Sequence, residues 1–172
     1  MIDNEGFRSN VAMIIADGLG NVLWARRVGG FDAWQFPQGG VHSGESAEDA
    51  LYRELHEEVG LRPNQVKVIA STRHWLRYRL PEKYIRKEQS PLCVGQKQKW
   101  FLLKINAEYS AISFDGGPKP EFDHWRWASY WFPLTQVVDF KQDVYRKALK
   151  ELSPAHAALV RKAAEQSKKG AF

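Results

Sequence analysis

The sequence is poor in cysteine and in long apolar runs. Cys93 is the only cysteine among 172 residues, which excludes an internal disulfide and a cysteine-based zinc site. No stretch approaches the roughly 18 consecutive apolar residues that a membrane-spanning helix needs. The N-terminus also lacks the basic and then apolar segments of a secretory signal. These absences predict a cytoplasmic protein.

The composition is that of one globular domain with an excess of positive charge. Hydrophobic residues make up 44% of the chain, which is enough for one well-packed core, and the length is short for two. We expect a single domain at residues 1–152, followed by a C-terminal helix or tail at residues 153–172 that is partly frayed. The net charge of +5 fits a polyanionic substrate, although simple solubility would account for it equally well.

Apolar periodicity predicts an α/β fold. Residues 11–16 and 22–27 are apolar runs separated by turn residues, which indicates a hairpin. Further strands are predicted at residues 34–36, 66–72, 74–80, 99–105, 112–114 and 124–131. Helices are predicted to begin at residues 133 and 142. The second should end before Pro154 and be followed by another helix at residues 155–166.

A helix with strong signals at both ends is predicted at residues 47–59. Ser46 can cap its first turn together with Asp49, and Gly60 supplies the left-handed conformation that ends many helices. Three glutamates of this helix fall within an arc of about 100°, next to an apolar stripe that can pack in a core. The glutamates are Glu54, Glu57 and Glu58, and the stripe consists of Leu51, Leu55 and Val59.

The clustered glutamates predict a bound cation. Like charges at these spacings repel, and burial beside an apolar stripe increases the repulsion. Oxygen ligands favour Mg²⁺, with Mn²⁺ as the alternative, over zinc. A solvated acidic surface is the other interpretation of three glutamates taken alone.

The segment at residues 39–61 matches a known motif at every fixed position. The motif reads G-x5-E-x7-R-E-U-x-E-E-x-G-U, where U is aliphatic, and its fixed positions are Gly39, Glu45, Arg53, Glu54, Leu55, Glu57, Glu58, Gly60 and Leu61. On this pattern the chain resembles the Nudix hydrolases. The resemblance implies an α/β/α sandwich with a mixed central sheet, and Mg²⁺-dependent hydrolysis of a diphosphate linked to another group. It implies no organic cofactor.

The same resemblance gives roles to the polar residues of the motif. The three helix glutamates would hold the metal together with Glu121, an acidic residue outside the motif. One of these carboxylates would take the proton of the attacking water, and the sequence does not divide the roles. Arg53 would orient a carboxylate of the motif, such as that of Glu45.

A second group of residues is basic and aromatic, the combination that binds phosphates and stacks the bases of single-stranded RNA. From residue 1 to about residue 152, the order and spacing of these segments are similar to those of the bacterial RNA pyrophosphohydrolase family. The matching segments include Arg26-Arg27, Trp75-Leu76-Arg77-Tyr78, Gln96-Lys97-Gln98-Lys99-Trp100-Phe101 and Phe140-Lys141. The resemblance implies conversion of triphosphorylated or diphosphorylated RNA 5′ ends to 5′-monophosphate ends, which promotes mRNA decay.

By position, this resemblance implies a site for the second RNA base between Arg27 and Phe140. Val138 and Lys141 would read the edge of that base, and three further residues would lie along the phosphates. These three are Arg8, Tyr78 and Lys97. Ala33 stands where family members can have serine, which would remove one side-chain contact.

Three other functions remain open on the sequence. A hydrolase of dinucleoside polyphosphates, such as diadenosine tetraphosphate or pentaphosphate, would use the same metal site. A hydrolase of free nucleoside triphosphates would not need the basic and aromatic surface, and a catalytically silent RNA-binding module would not need an intact motif. The sequence leaves open the preferred second base, the number of metal ions and the oligomeric state, and it predicts no membrane or obligate protein partner.

Overall fold

A mixed β-sheet between two helical layers is the architecture of the computed structural model, which describes residues 1–29 and 31–170. Eight strands form the sheet in these residues. They are β1 Phe7–Ala16, β2 Asn21–Arg27, β3 Trp34–Gln35, β4 Gln38–Gly40, β5 Val66–Ser71, β6 Leu76–Arg79, β7 Gly95–Ile105 and β8 Phe122–Ser129. The helices are α1 Ala47–Val59, α2 Phe132–Gln136 and α3 Gln142–Lys169. The predicted α/β/α sandwich is confirmed.

Strand β1 lies at the centre of the sheet. It pairs in parallel with β7 along its whole length, from Phe7 opposite Gly95 to Ala16 opposite Lys104. The predicted hairpin holds only at its turn, because β1 and β2 pair only where Ala16 faces Val22. Beyond this point β2 pairs with β3 and β8, and the start of β1 pairs with β4 instead. The first residues of the motif therefore lie beside the central strand.

Side chains alternate along β1 and enter two separate cores. The core between the sheet and α1 includes Val11, Met13, Ile15, Leu51, Leu55, Val59, Phe101 and Leu103. The core between the sheet and α3 includes Ala12, Ile14, Trp24, Phe36, Trp100, Leu102, Val144, Tyr145 and Leu149. Full burial of a leucine contributes about 1.5 to 3 kcal/mol, so the apolar stripe of α1 holds this helix firmly against the sheet.

The predicted limits of α1 are confirmed because both end signals form. The hydroxyl of Ser46 accepts a hydrogen bond of 3.0 Å from the backbone N–H of Asp49. At the other end Gly60 has φ 73°, and its N–H donates to the carbonyl of His56. The two caps fix where α1 begins and ends, and therefore which of its side chains lie beside β4.

The predicted helix break at Pro154 is wrong. Helix α3 runs without interruption through Pro154, although proline lacks the N–H that would bond the carbonyl of Lys150. A proline inside a helix costs about 3 kcal/mol, but apolar side chains are buried on both sides of it, including Leu152 and Leu159. Burial of both halves therefore outweighs the lost hydrogen bond. Of the tail expected to fray, residues 167–169 are helical, and residues 171–172 lie outside the described residues.

The predicted strand at residues 112–114 is also wrong. A short 3₁₀ helix at Tyr109–Ala111 precedes a loop, and the N–H of Ser113 donates to the carbonyl of Val59 at 2.9 Å. This backbone group therefore caps the end of α1 rather than joining a strand. Across residues 1–29 and 31–170, no helix is long and apolar enough to cross a membrane.

Candidate active site

A cleft of about 1030 Å³ runs from the C-terminal half of α1 to the loop that precedes α3. Its walls come from β1, β2, α1, β6 and the loops before β8 and α3. The side chains predicted from the sequence that line it are Arg8, Arg27, Glu54, Glu57, Glu58, Tyr78, Glu121, Val138, Phe140 and Lys141. The fold thus brings the acidic and the basic–aromatic residues into one cavity.

Arg53 connects α1 to the segment that precedes it. Its guanidinium donates to both carboxylate oxygens of Glu45, at 2.8 and 2.9 Å, and to the carbonyl of Gly40 at 2.6 Å. Its Nη1 also donates to Oε1 of Glu54 at 2.7 Å. Hydrogen bonds from Arg53 lower the pKa of Glu45 to about 2. Hydrogen bonds to Glu45 and Glu54 in turn raise the pKa of Arg53. The structure therefore places Arg53 where the sequence expected it, orienting carboxylates of the motif.

Glu58 is a buried carboxylate in an acidic environment. Only 7% of its surface is exposed, and the backbone N–H of Gln38 donates to its Oε2 at 3.0 Å. Burial, and then the neighbouring charge of Glu54, raise the pKa of Glu58 to about 9, with smaller contributions from Glu121 and Glu57. The pKa of Glu54 is also raised by burial, against the lowering effect of Arg53. Ionisation of these carboxyl groups without a cation is therefore unfavourable.

The donor set fits a hard divalent cation. Carboxylate oxygens are the ligands that Mg²⁺ and Mn²⁺ prefer. Burial, and then the charge of Glu54, raise the pKa of Glu58, and a bound cation would favour its ionised form. No three acidic, histidine or cysteine side chains converge at metal-ligand spacing within the part of the chain that the structure describes. Arg53 instead donates to Glu54, and the backbone N–H of Gln38 donates to Glu58.

Glu121 reaches the cleft from the loop before β8. Its own carbonyl accepts a hydrogen bond of 2.9 Å from the N–H of Val28, which ties this loop to the end of β2. Earlier in the same loop, Gly116 and Gly117 lie against the last turn of α1. The loop is therefore fixed at both ends beside the helix that carries the other three carboxylates.

Aromatic rings and a buried lysine form the other end of the cleft. The ring of Phe140 lies between those of Tyr78 and Tyr84, with centroid distances of 6.0 and 5.9 Å. Lys141 is 8% exposed, and its ammonium lies 5.9 Å from the ring centroids of both Tyr78 and Phe140 and donates to Gln35. Burial, and then the charge of Arg27, lower the pKa of Lys141 to about 8.

Among the residues predicted to bind the substrate, Lys97 does not line the cleft. Gln96 does, and consecutive residues of a strand point to opposite faces. The ammonium of Lys97 lies 3.0 Å from Oδ2 of Asp3, on the other face. The geometry therefore gives no support to the phosphate contact expected of Lys97.

A chain of buried amides beside Glu58 was missed from the sequence. The Nε2 of Gln98 donates to Oδ1 of Asn10 at 2.9 Å and to Oε1 of Gln38 at 2.8 Å, and Gln38 holds Glu58 through its backbone. The spacing of Gln96 and Gln98, two residues apart on a strand, was the available signal, because it places both amides on one face.

Comparison with known proteins agrees with the motif. The family model described as NUDIX domain matches residues 6–155. An RNA pyrophosphohydrolase of Teredinibacter turnerae is 64% identical over 160 residues, covering 93% of each chain. An RNA pyrophosphohydrolase of Shewanella piezotolerans is 56% identical over 170 residues, covering 99% of this chain and 98% of the relative.

Solved structures share the fold at low sequence identity. The E. coli dihydroneopterin triphosphate pyrophosphohydrolase has a TM-score of 0.66 and 20% identity, covering 84% of this chain and 98% of that one. A C. elegans Ap4A hydrolase complex has a TM-score of 0.55 and 18% identity, covering 81% and 93% of the two chains. At such identities the likeness concerns the fold alone.

Proposed function

This chain belongs to the NUDIX domain family, and on that premise we propose that it hydrolyses triphosphorylated RNA 5′ ends to 5′-monophosphate ends and pyrophosphate. Diphosphorylated ends would release phosphate instead. The name RNA pyrophosphohydrolase, carried by relatives that are 56 to 64% identical over most of the chain, supports this substrate class. The family match at residues 6–155 supports placing the hydrolase domain in residues 1–152. An RNA substrate also favours the cytoplasmic location expected from the sequence.

The single observation that carries the proposal is the shared cleft. Four carboxylates occupy one part of it, and Arg27, Phe140 and Lys141 occupy another. A small diphosphate substrate would need only the first part. A polynucleotide end needs both, because its phosphates and its second base must be held together.

At the acidic end the residues of this chain would position the reacting groups. Glu54, Glu57, Glu58 and Glu121 would hold Mg²⁺ or Mn²⁺, which when bound supplies charge neutralisation for the phosphate oxygens. Water adds to a phosphorus atom, the bridging P–O bond breaks, and one of these carboxylates takes the proton of the water. Arg53 would act on this chemistry indirectly, by holding Glu45 and Glu54 in place.

At the aromatic end the residues would bind the second base of the RNA. Its faces would stack between Arg27 and Phe140, and its edge would meet Val138 and Lys141. A lysine whose pKa is lowered by burial regains a stabilising partner when polar groups or phosphates of the substrate enter. Arg8 and Tyr78 also line the cleft and would lie along the phosphates.

The decisive experiment compares three substrates with the purified chain and Mg²⁺. These are a short 5′-triphosphorylated RNA, diadenosine tetraphosphate and a free nucleoside triphosphate. We expect the highest kcat/KM with RNA, and pyrophosphate and a 5′-monophosphorylated RNA as the products. A higher kcat/KM with diadenosine tetraphosphate would replace the proposal with the dinucleoside polyphosphate alternative. Absence of any metal-dependent phosphate release would leave only an RNA-binding role.

A further inference from the structure

Tyr84 is an aromatic residue of the cleft to which the proposed function gives no role. The residue is 53% exposed and lines the cleft, and its ring lies 5.9 Å from the ring of Phe140 with an interplanar angle of 46°. A half-exposed tyrosine contributes little to a core, because most of its apolar surface remains in water. The exposed face is therefore available for a ligand that enters the cleft.

The backbone that carries Tyr84 is well fixed. Residues Glu82–Tyr84 form a 3₁₀ helix in which the N–H of Tyr84 donates to the carbonyl of Pro81 at 2.9 Å. Just before it, the N–H of Leu80 donates to the carbonyl of Val94 at 2.9 Å, which connects this segment to the residue that precedes β7. A ring held on a rigid turn is suited to stacking, because little conformational freedom is lost on binding.

The charge around Tyr84 suits a phosphate backbone. The ammonium of Lys83 lies 5.1 Å from the centroid of the Tyr84 ring, and the following residues Arg86 and Lys87 are exposed. Residues 82–88 also contain two carboxylates, and that of Glu82 pairs with Lys87 at 3.2 Å. Phe31 also lines the cleft and is 98% exposed, but residues 28–33 contain no cation and one carboxylate, that of Asp32. The net charge is therefore +1 over residues 82–88 and −1 over residues 28–33, which favours a polyanion beside Tyr84 over one beside Phe31.

We propose that Tyr84 and Lys83 form a binding site for a nucleotide downstream of the second one, with the base stacked on Tyr84 and its phosphate near Lys83. This inference rests on the proposed function, because it extends the path of the same RNA. Phe140 would stack the second base, and Tyr84, packed against Phe140, would receive a later base as the strand leaves the cleft. Single-stranded nucleic acid is commonly bound in this way, by successive aromatic rings beside a basic path.

The test compares triphosphorylated RNAs of two and four nucleotides with wild-type protein and Tyr84→Ala. The quantity measured is the ratio of kcat/KM for the four-nucleotide RNA to that for the two-nucleotide RNA. We expect Tyr84→Ala to lower this ratio by about 5-fold, the lower end of the range for base stacking, since one face of the ring is already covered. Tyr84→Phe should keep the wild-type ratio because the stacking ring is retained.

Three further variants make the result specific. Tyr109 is 42% exposed and packs on Trp127 away from the cleft, so Tyr109→Ala controls for the loss of an exposed tyrosine and should keep the wild-type ratio. Phe31→Ala tests whether the downstream base stacks on Phe31 instead of Tyr84. Lys83→Gln should reduce the salt dependence of binding to the four-nucleotide RNA by about 0.7 in the slope of log K against log salt.

The outcomes separate this inference from the proposed function. Equal losses on both RNAs with Tyr84→Ala would mean that Tyr84 acts only by supporting Phe140, and would overturn the downstream site. A lowered ratio with Phe31→Ala and an unchanged ratio with Tyr84→Ala would also overturn it, because the RNA would then leave the cleft beside Phe31. Failure of the wild-type protein to hydrolyse either RNA would overturn the proposed function itself.

Discussion

The Cα atom of Gly39 lies directly against the carboxylate of Glu54. A methyl group built on Gly39 would overlap the carboxylate carbon and both oxygens of that side chain, whereas one built on the adjacent Gly40 would meet no atom within 4 Å. Gly39 pairs with Val11 in the sheet, so the backbone of β4 is not free to move away. A side chain at Gly39 would therefore displace the carboxylate of Glu54 from the position in which Arg53 holds it, although the backbone angles of Gly39 are ordinary.

Replacing Gly39 by alanine should displace Glu54 and reduce activity. Overpacking of this kind costs about 1 to 3 kcal/mol, and we expect a loss of Mg²⁺ affinity in addition to the loss of stability. Calorimetric titration with Mg²⁺ and urea unfolding would measure the two effects. Gly40→Ala is the matched control, and its free energy of unfolding should stay within about 0.5 kcal/mol of the wild type. Equal effects of the two substitutions would contradict the steric explanation.

The contact between Arg53 and Glu45 should make stability depend on acid pH. Because the pKa of Glu45 is lowered from 4.5 to about 2 in the folded protein, its contribution is complete above about pH 4.5 and is lost as pH falls toward 2. Glu45→Gln should lower the free energy of unfolding by about 1 to 3 kcal/mol at pH 7, with a smaller difference at pH 3. Urea unfolding at several pH values measures this, and a difference that does not change with pH would refute it.

Substitutions of Glu58 and Glu57 should distinguish the effect of a buried carboxylate on stability from the effect of a lost metal ligand on activity. Burial raises the pKa of Glu58 above its unfolded value, so its ionisation destabilises the metal-free protein increasingly as pH rises from about 4.5 to about 9. Glu58→Gln removes this penalty, and we expect the Tm of the metal-free protein at pH 7 to rise by about 2 °C or more.

Glu57 is the matched comparison for this effect, because its side chain is 38% exposed. Glu57→Gln should change the Tm little. Both variants should lose at least about 100-fold in hydrolysis rate with Mg²⁺, since a metal ligand is lost in each. Wild-type rates in both would remove these carboxylates from the active site, and a lower Tm for metal-free Glu58→Gln would refute the electrostatic argument.

Local sequence signals predicted the acidic end of the site well. The limits of α1 follow from Ser46 and Gly60, which act through contacts within a few residues. The direction of its glutamates follows from the apolar stripe on the same helix, because packing of that stripe leaves little freedom of rotation. Such features need no knowledge of distant elements.

Features that depend on distant elements were predicted less well. The side to which Lys97 points depends on the register of β7, and its partner Asp3 comes from the N-terminal segment. Helix α3 continues through Pro154 because side chains such as Leu159 are buried against the sheet, which local propensity does not report. The strand expected at residues 112–114 failed for a similar reason, since its backbone is used at the end of α1.

Phe140 offers the sharpest separation of RNA-end hydrolysis from cleavage of small polyphosphates. A base stacked on an aromatic ring contributes roughly 1 to 3 kcal/mol, or about 5- to 150-fold in affinity. A free nucleoside triphosphate has no second base and cannot gain this energy. Phe140→Ala should therefore lower kcat/KM on triphosphorylated RNA within that range and have a much smaller effect on a mononucleotide triphosphate.

The packing of Phe140 determines which control this experiment needs. Its ring touches Tyr78 and Tyr84, so truncation removes apolar contacts as well as a stacking surface, and some loss of stability is expected. Phe132, which is half-buried outside the cleft, is the matched control. Phe132→Ala should lower kcat/KM on both substrates by the same factor, because it can act only by reducing the fraction of folded protein. Equal losses on RNA and mononucleotide with Phe140→Ala would therefore assign Phe140 to the core and leave the second-base site without its aromatic face.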